Sequence, residues 1–208
     1  MRHTQLALAA AFAVVAGMLL DGSSARALEP AKGLTPALIT DEVIAEVREF
    51  LASPLVAMSI AMQNERRHGV SQERIDALDK QWRAEADSER KPLISATLSS
   101  PLSTYLTRVQ ARSLGRYCEI FVMDAYGLNV GQSSITSDYW QGDEAKWQKT
   151  YPKGPDAVFI DEAEWNEETR TWRAQLSLTV TEPGTGRAIG AATIELNLTE
   201  LQRQAFTR

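Results

Sequence analysis

The chain is nearly devoid of two side chains on which many catalytic centres rely, histidine and cysteine. Its 208 residues hold two histidines, His3 and His68, and a single cysteine, Cys118. One cysteine forms no internal disulfide, and a zinc site built from several His or Cys ligands has too few of either to draw on. A Ser-His-Asp arrangement would have to use His68. That residue lies in the charged stretch NERRHG and reads as a solvated residue at a helix end, favoured by the helix dipole. Cys118 falls in an apolar, strand-like run and reads as a buried, inert thiol. Also absent are any block of like charge long enough for a disordered tail and, after residue 27, any apolar run of membrane-spanning length.

What is present starts with residues 1–27. Arg2 supplies a positive start, Leu6 to Leu20 an uncharged apolar stretch, and Ala25-Arg26-Ala27 places small residues at the two positions a signal peptidase reads. The fifteen apolar residues fall short of the ~20 that cross a bilayer as a helix. The reading is a signal peptide cleaved before Leu28, delivering the chain to a periplasm, with secretion as the alternative. Loss of Arg2, Asp21 and Arg26 with this leader takes the net charge from −5 to −6. An acidic balance argues against nucleic acid and anionic membrane surfaces as partners. The remaining length suits one domain with a proper core.

Periodicity divides that domain in two. Residues 28–34 read as a loop and 35–115 as a helical region. Thr35-Pro36 looks like a helix start, with Asp41 and Glu42 early in the helix. Val43, Val47, Phe50, Leu51, Leu55, Met58 and Met62 continue a helical stripe as far as about His68, with a kink or break expected at Pro54. Ser71 caps a second helix carrying Ile75, Leu78 and Trp82. Asp87 to Pro92 reads as a charged loop, and a third helix follows Pro101. From residue 116 to 203 the rhythm becomes that of strands. Tyr117 to Met123 and Leu128 to Ser133 flank an Asp124-Ala125-Tyr126-Gly127 turn, whose Asp and Gly are turn residues by type. A helical insertion over Asp143 to Thr150 interrupts. Strands over Ala157–Trp165, Thr171–Thr181 and Ala188–Leu198 close the pattern. In the middle one Trp172, Ala174, Leu176, Leu178 and Val180 alternate with Arg173, Gln175, Ser177, Thr179 and Thr181. The expected fold is α+β: an N-terminal helical region, then a five-stranded antiparallel sheet with a helical insertion between its second and third strands.

These residues carry a resemblance. CEIFVMDAYGLNVGQS resembles the opening hairpin of extracytoplasmic Cache sensor domains, also described as PDC or PAS-like sensors. SDYWQGDEAKWQKTY resembles the segment that lies over the sheet and closes the ligand pocket. WRAQLSLTVTEPGTGRAIGAATIELNLTEL resembles the closing hairpin, with its G-x-x-I-G stretch at Gly186 to Gly190. The resemblance spans roughly Thr35 to Leu201. It implies a binding module for a small ligand, not an enzyme, with no cofactor and no metal. Family members sit between membrane spans and drive an output domain. This chain has neither, so the implied partner is a separate membrane-bound receptor or kinase, with homodimerisation through the N-terminal helix as a further expectation.

The candidate ligand residues come from the insertion and the strands after it. Tyr139, Trp140, Lys146, Trp147 and Tyr151 have the mix of aromatic and polar groups that ligand pockets use. Amino-acid-binding members of the family hold the ligand carboxylate with an Arg, a Trp and a Tyr in this segment, and the amine with an Asp on a later strand. By that resemblance Trp147 matches the aromatic, Lys146 stands loosely for the Arg, with a less bidentate grip, and Asp161 matches the Asp. Arg173 is a further candidate: with Gln175 it lies on the polar face of the fourth strand, turned either to the pocket or to water. For Trp140 and Trp147 taken singly, packing the insertion onto the sheet is the favoured alternative to ligand contact. The acidic run Asp161, Glu162, Glu164, Glu167 and Glu168 lacks the spacing of a calcium loop and reads as a solvated hairpin. Two other functions remain open: a ligand-free interaction protein using the long amphipathic helix, and a hydrolase using a carboxylate pair such as Asp161 and Glu164.

Overall fold

Proline opens four of the helical segments, occupying a position whose N–H has no helical partner in any case. The computed structural model describes residues 33–206; the leader, its cleavage position and residues 28–32 of the expected loop lie outside the described residues. A 3-10 turn at Pro36–Leu38 leads into α1 (Asp41–Leu51), followed by α2 (Pro54–Arg66), α3 (Gln72–Ala86), α4 (Pro92–Leu98) and α5 (Pro101–Arg112). The single stripe from Pro36 towards His68 is therefore two helices, separated at Ala52 and Ser53 because Pro54 cannot continue the ladder of α1. Ser71 and Ser100 cap α3 and α5 through their side chains, accepting from the N–H groups of Arg74 and Ser103. The expected Asp87–Pro92 loop is shorter than the sequence suggests, since Pro92 starts α4. The cap of α4 comes from another helix: the Glu85 carboxylate accepts from the N–H groups of Leu93 at 2.7 Å and Ile94 at 3.0 Å.

The strands are β1 (Tyr117–Met123), β2 (Asn129–Gln132), β3 (Val158–Ile160), β4 (Glu164–Asn166), β5 (Thr171–Thr181) and β6 (Ala188–Asn197). All neighbours are antiparallel, in the order β2-β1-β6-β5-β3, with β4 also on β5. The five expected strand positions are present, the outermost in two pieces. Between the pieces Asp161 still donates its N–H to Gln175 O, but its carboxylate accepts from the N–H of Glu162 and turns the chain out of the ladder. The insertion holds a single turn of helix, α6 (Ala145–Gln148), and a 3-10 turn at Tyr151–Lys153. A C-terminal helix, α7 (Leu198–Ala205), follows β6 directly, capped by the Asn197 side chain.

The two faces of the sheet differ. On one, Ile120, Val122, Leu176, Leu178, Ile194 and Leu196 pack with Val47, Val56, Ile60, Leu102 and Leu106 from the helices. The register then places Glu119, Phe121, Met123, Gln132, Thr193, Glu195, Arg173, Gln175, Ser177 and Thr179 on the other. That second face lies beneath the insertion, whose Trp147 and Tyr151 pack on Phe121, Met123 and Ala191.

One cluster of side chains fixes α2 to the sheet. Gln63 is buried and donates to the Asp124 carboxylate at 2.9 Å and to Asn129 O at 3.1 Å. Asn64 accepts from the N–H of Ala125 at 2.9 Å and donates to Ile189 O at 2.8 Å. Asp124 also accepts from the N–H groups of Tyr126 and Leu128. Burial pushes its pKa up against the pull of these donors. Gly127 closes the turn at φ +80°, where a Cβ would stand 2.6 Å from Gly142 Cα. Gly127→Ala is expected to cost roughly 1–3 kcal/mol from the left-handed backbone alone. It should read as a lower urea midpoint at unchanged slope; an unchanged midpoint would show that the turn tolerates a side chain.

Candidate functional site

The insertion is held over the sheet by contacts that its own sequence specifies. Thr150 turns its hydroxyl back to Lys146 O at 2.6 Å, closing the single turn of α6. Gln141, buried, donates to Asp138 O and accepts from Lys146 Nζ at 3.2 Å. Trp147 donates its indole N–H to Asp124 O at 3.3 Å and lies 5.5 Å from the Tyr151 ring, tilted.

Between this roof and the exposed end of β5 and β6 is a cavity of about 210 Å³. It is lined by Glu144, Lys146, Asp161, Glu162, Glu164, Arg173, Gln175 and Glu195, with two alanines. Lys146, Asp161 and Arg173 are thus brought together from α6, the break between β3 and β4, and β5. Both cations are already paired: Lys146 with Glu144 at 2.7 Å and Arg173 with Glu195 at 2.8 Å. Arg173 also donates to Thr169 Oγ1 at 2.9 Å. Five carboxylates against two cations make the lining net negative, a setting that favours a positive group on whatever enters.

The remaining expected residues are elsewhere. Trp147 and Tyr151 form the apolar contact between roof and sheet, beside the cavity but not in its lining. Tyr139 and Trp140 belong to a different cluster. Tyr139 is 3% exposed, stacks on Trp82 at 5.2 Å and has its phenol pKa raised by burial. Trp140 donates its indole N–H to Tyr126 O, and its backbone N–H, like that of Tyr139, goes to the Asp79 carboxylate. The expected solvated acidic hairpin turns out to contribute Asp161, Glu162 and Glu164 to the cavity wall, because the chain leaves the ladder at that point.

Sequence reasoning missed Glu195, Glu119 and Gln132. Glu195 stands opposite both Glu119 and Gln175 in the register. Glu119 is half-buried with its pKa raised, first by burial and also by Glu195, against the Ser134 hydroxyl at 2.8 Å, Lys146 and Arg173. Gln132 is fully buried, yet neither amide atom has a partner, and the hydroxyl of Thr179 on the same face is also unpartnered. The available signal was the polar alternation of Ala188 to Leu198, but only the register shows that its polar residues join those of β1, β2 and β5.

No family model matches the chain and no curated protein matches its sequence. Among solved structures it is similar to the ligand-binding domain of the Pseudomonas aeruginosa amino acid chemoreceptor PctC in complex with GABA: 16% identity over 78% of this chain and 63% of that one, TM-score 0.36. It is similar to the sensory domain of the Campylobacter jejuni chemoreceptor Tlp3, with 12% identity, 81% and 66% coverage and TM-score 0.39. It is also similar to the sensor domain of the Vibrio cholerae histidine kinase DctB, with 12% identity, 78% and 58% coverage and TM-score 0.36. The chain spans less than two thirds of the length of each of these three. No residue role passes from them to this chain. Among the described residues no helix is long and apolar enough to cross a membrane, and no group of three or more acidic, His or Cys side chains is placed to hold a metal.

Two outcomes follow from the electrostatics of this face. Because the folded state raises the Glu119 pKa, the native protein binds the proton more tightly than the unfolded chain. Stability from this group is fully present at low pH and declines as pH rises above the ordinary carboxylate range and through the raised value. Glu119→Gln, neutral throughout, should therefore gain on the wild type between pH 4 and pH 7 in urea titrations; a gap that is flat with pH would contradict this. Burial pushes the half-buried Cys118 thiol up to about 11. Its alkylation by iodoacetamide at pH 8 should be at least about tenfold slower in the native protein than in urea, since only the thiolate reacts. Equal rates would place the thiol in solvent.

Proposed function

We propose that the chain is a periplasmic binding module that recognises a small polar ligand bearing an amino group, with amino acids as the first class to test, and relays occupancy to a membrane-bound partner. Its site lies between the polar sheet face and the roof formed by α6. One observation carries this reading. A sheet face covered by an insertion should be apolar, and the fully buried Gln132 amide on it has no partner for either atom. Buried polar groups are almost always satisfied, so such a group is costly unless something else meets it. Gln132 does not line the cavity under α6, so a ligand meets that need by reaching further beneath the roof than the cavity extends. Thr179 and the Ser177–Thr193 hydroxyl pair, 3.0 Å apart, extend the same polar strip.

The charges of the cavity choose the ligand. An ammonium group finds Asp161, Glu195 and the acids of the rim. A carboxylate alone must displace Glu144 from Lys146 or Glu195 from Arg173. An amino acid does both, its amine drawn by the excess of acid and its carboxylate taking one cation. The proposal assigns no catalytic role: the polar strip offers binding groups, and Cys118, the chain's one thiol, is held protonated by burial.

The test is a thermal-shift and calorimetric comparison of amino acids, small amines and small carboxylates. A ligand at a hundred times its Kd adds about 2.7 kcal/mol to the native state. Amines and amino acids should raise the melting temperature more than matched carboxylates do, and Asp161→Asn should remove the effect. Gln132→Leu is the sharper variant, because it should stabilise the free protein while weakening binding at least about tenfold. Stabilisation without loss of binding would detach the buried amide from ligand recognition.

A further inference from the structure

The opposite side of the molecule carries a second concavity with the reverse charge. Between α2, α4 and the start of α5 lies a groove of about 530 Å³, a volume in the range of small-molecule sites. Its walls are Leu55, Met58, Met62, Leu93, Ala96 and Leu102, and Val130 and the buried Tyr139 also line it. Met58 and Met62 are 61% and 57% exposed, unusual for unbranched apolar side chains on a helix that also supplies core residues. Exposed methionines suit a surface that adapts to an apolar occupant.

At one end of the groove stand Arg66 and Arg67, and no carboxylate lines it anywhere. Among the described residues neither arginine has an acidic side chain at ion-pair distance. By contrast, Lys146 and Arg173, the two cations of the cavity under α6, each have one. Arg67 lies by the Tyr139 hydroxyl. In a chain of net charge −5, two guanidiniums with no carboxylate at ion-pair distance beside an apolar trough are a local exception, Arg67 being held by the Tyr139 hydroxyl and by the longer-range attraction of Asp124. The negative end of the α2 dipole, about half a charge, is outweighed by two full positive charges. From Leu55 to Arg66 the trough runs along twelve residues of α2, about 18 Å at 1.5 Å per residue, with Arg67 just past the helix end.

We propose that this groove is a second binding site, for a small anionic amphiphile: a linear or aromatic apolar tail lies along Met58 and Met62, and a carboxylate head is held by Arg66 and Arg67. The apolar walls supply the burial and the arginines the orientation, since planar guanidiniums match a carboxylate in two-point geometry. This site shares no residue with the cavity under α6 and does not rest on the sensor reading.

Sodium decanoate, below its micelle concentration, is the probe. Isothermal titration into the purified protein should give saturable one-to-one binding, at least about tenfold weaker for decanol, which lacks the charge. Met62→Glu and Arg66→Ala, both at exposed positions and therefore not expected to unfold the chain, should each weaken decanoate binding at least about tenfold. Absence of saturable binding, or binding indifferent to both changes, overturns the proposal. So does a self-associating protein whose dimer is broken by Met62→Glu and does not respond to decanoate, because the groove would then be an interface between copies of the chain.

Discussion

The structure depends on one polar junction in a place where helix and sheet ordinarily meet through apolar contact. Gln63 and Asn64, adjacent on α2, reach the Asp124 turn and the first residues of β6 through hydrogen bonds of 2.8 to 3.1 Å. Each of these groups is directional, so the junction sets both the rotation of α2 and its height along the sheet. Apolar packing of Ile60 and Val56 would have left both adjustable. The Asp124 turn in turn carries the Trp147 indole on its carbonyl, which links the seat of α2 on one face to the roof on the other. Among the described residues the most buried acid is thus a structural one: its two oxygens serve the turn and the helix, and none is left over for chemistry.

From that junction the two faces diverge. The helix-covered face holds the aliphatic core and supplies the stability. The face under α6 holds glutamates, an arginine, hydroxyls and a buried glutamine, a composition that weakens the fold in exchange for directional groups. Such an exchange is expected where binding groups must be held ready. The roof is correspondingly light: one turn of helix and a 3-10 turn, tied down by Trp147, Tyr151 and the Thr150 hydroxyl.

Much of the architecture was legible in the sequence because it is written in local chemistry. The Pro54 break, the Ser71 cap, the Asp124–Gly127 turn and the alternation of Thr171 to Thr181 each follow from residue type and spacing. What was not legible depends on distant partners. The helix α4 exists because Glu85, on the preceding helix, caps it. The outer strand splits because Asp161 bonds its own neighbour. Of the candidate residues, Lys146, Asp161 and Arg173 meet at one cavity, but Tyr139 and Trp140 turn to Trp82 and Tyr126, since aromatic composition does not say which of two surfaces a ring will cover. Gln132 was invisible because a glutamine in a short strand carries no mark of burial until the strand's register is known.

The central claim is that the polar face under α6 is a ligand face, and the most direct test is to watch its buried amide. In a nitrogen-15 correlation spectrum the Gln132 side-chain NH2 pair reports the buried polar strip of the sheet and the Trp147 indole N–H reports the roof. Titration with an amino acid or amine that shifts the melting temperature should move both sets of signals, saturating together with a single affinity. Signals that stay fixed while the same ligand binds, or that move only for residues of the Met58–Arg67 groove, would contradict the account and place recognition on the other side of the sheet.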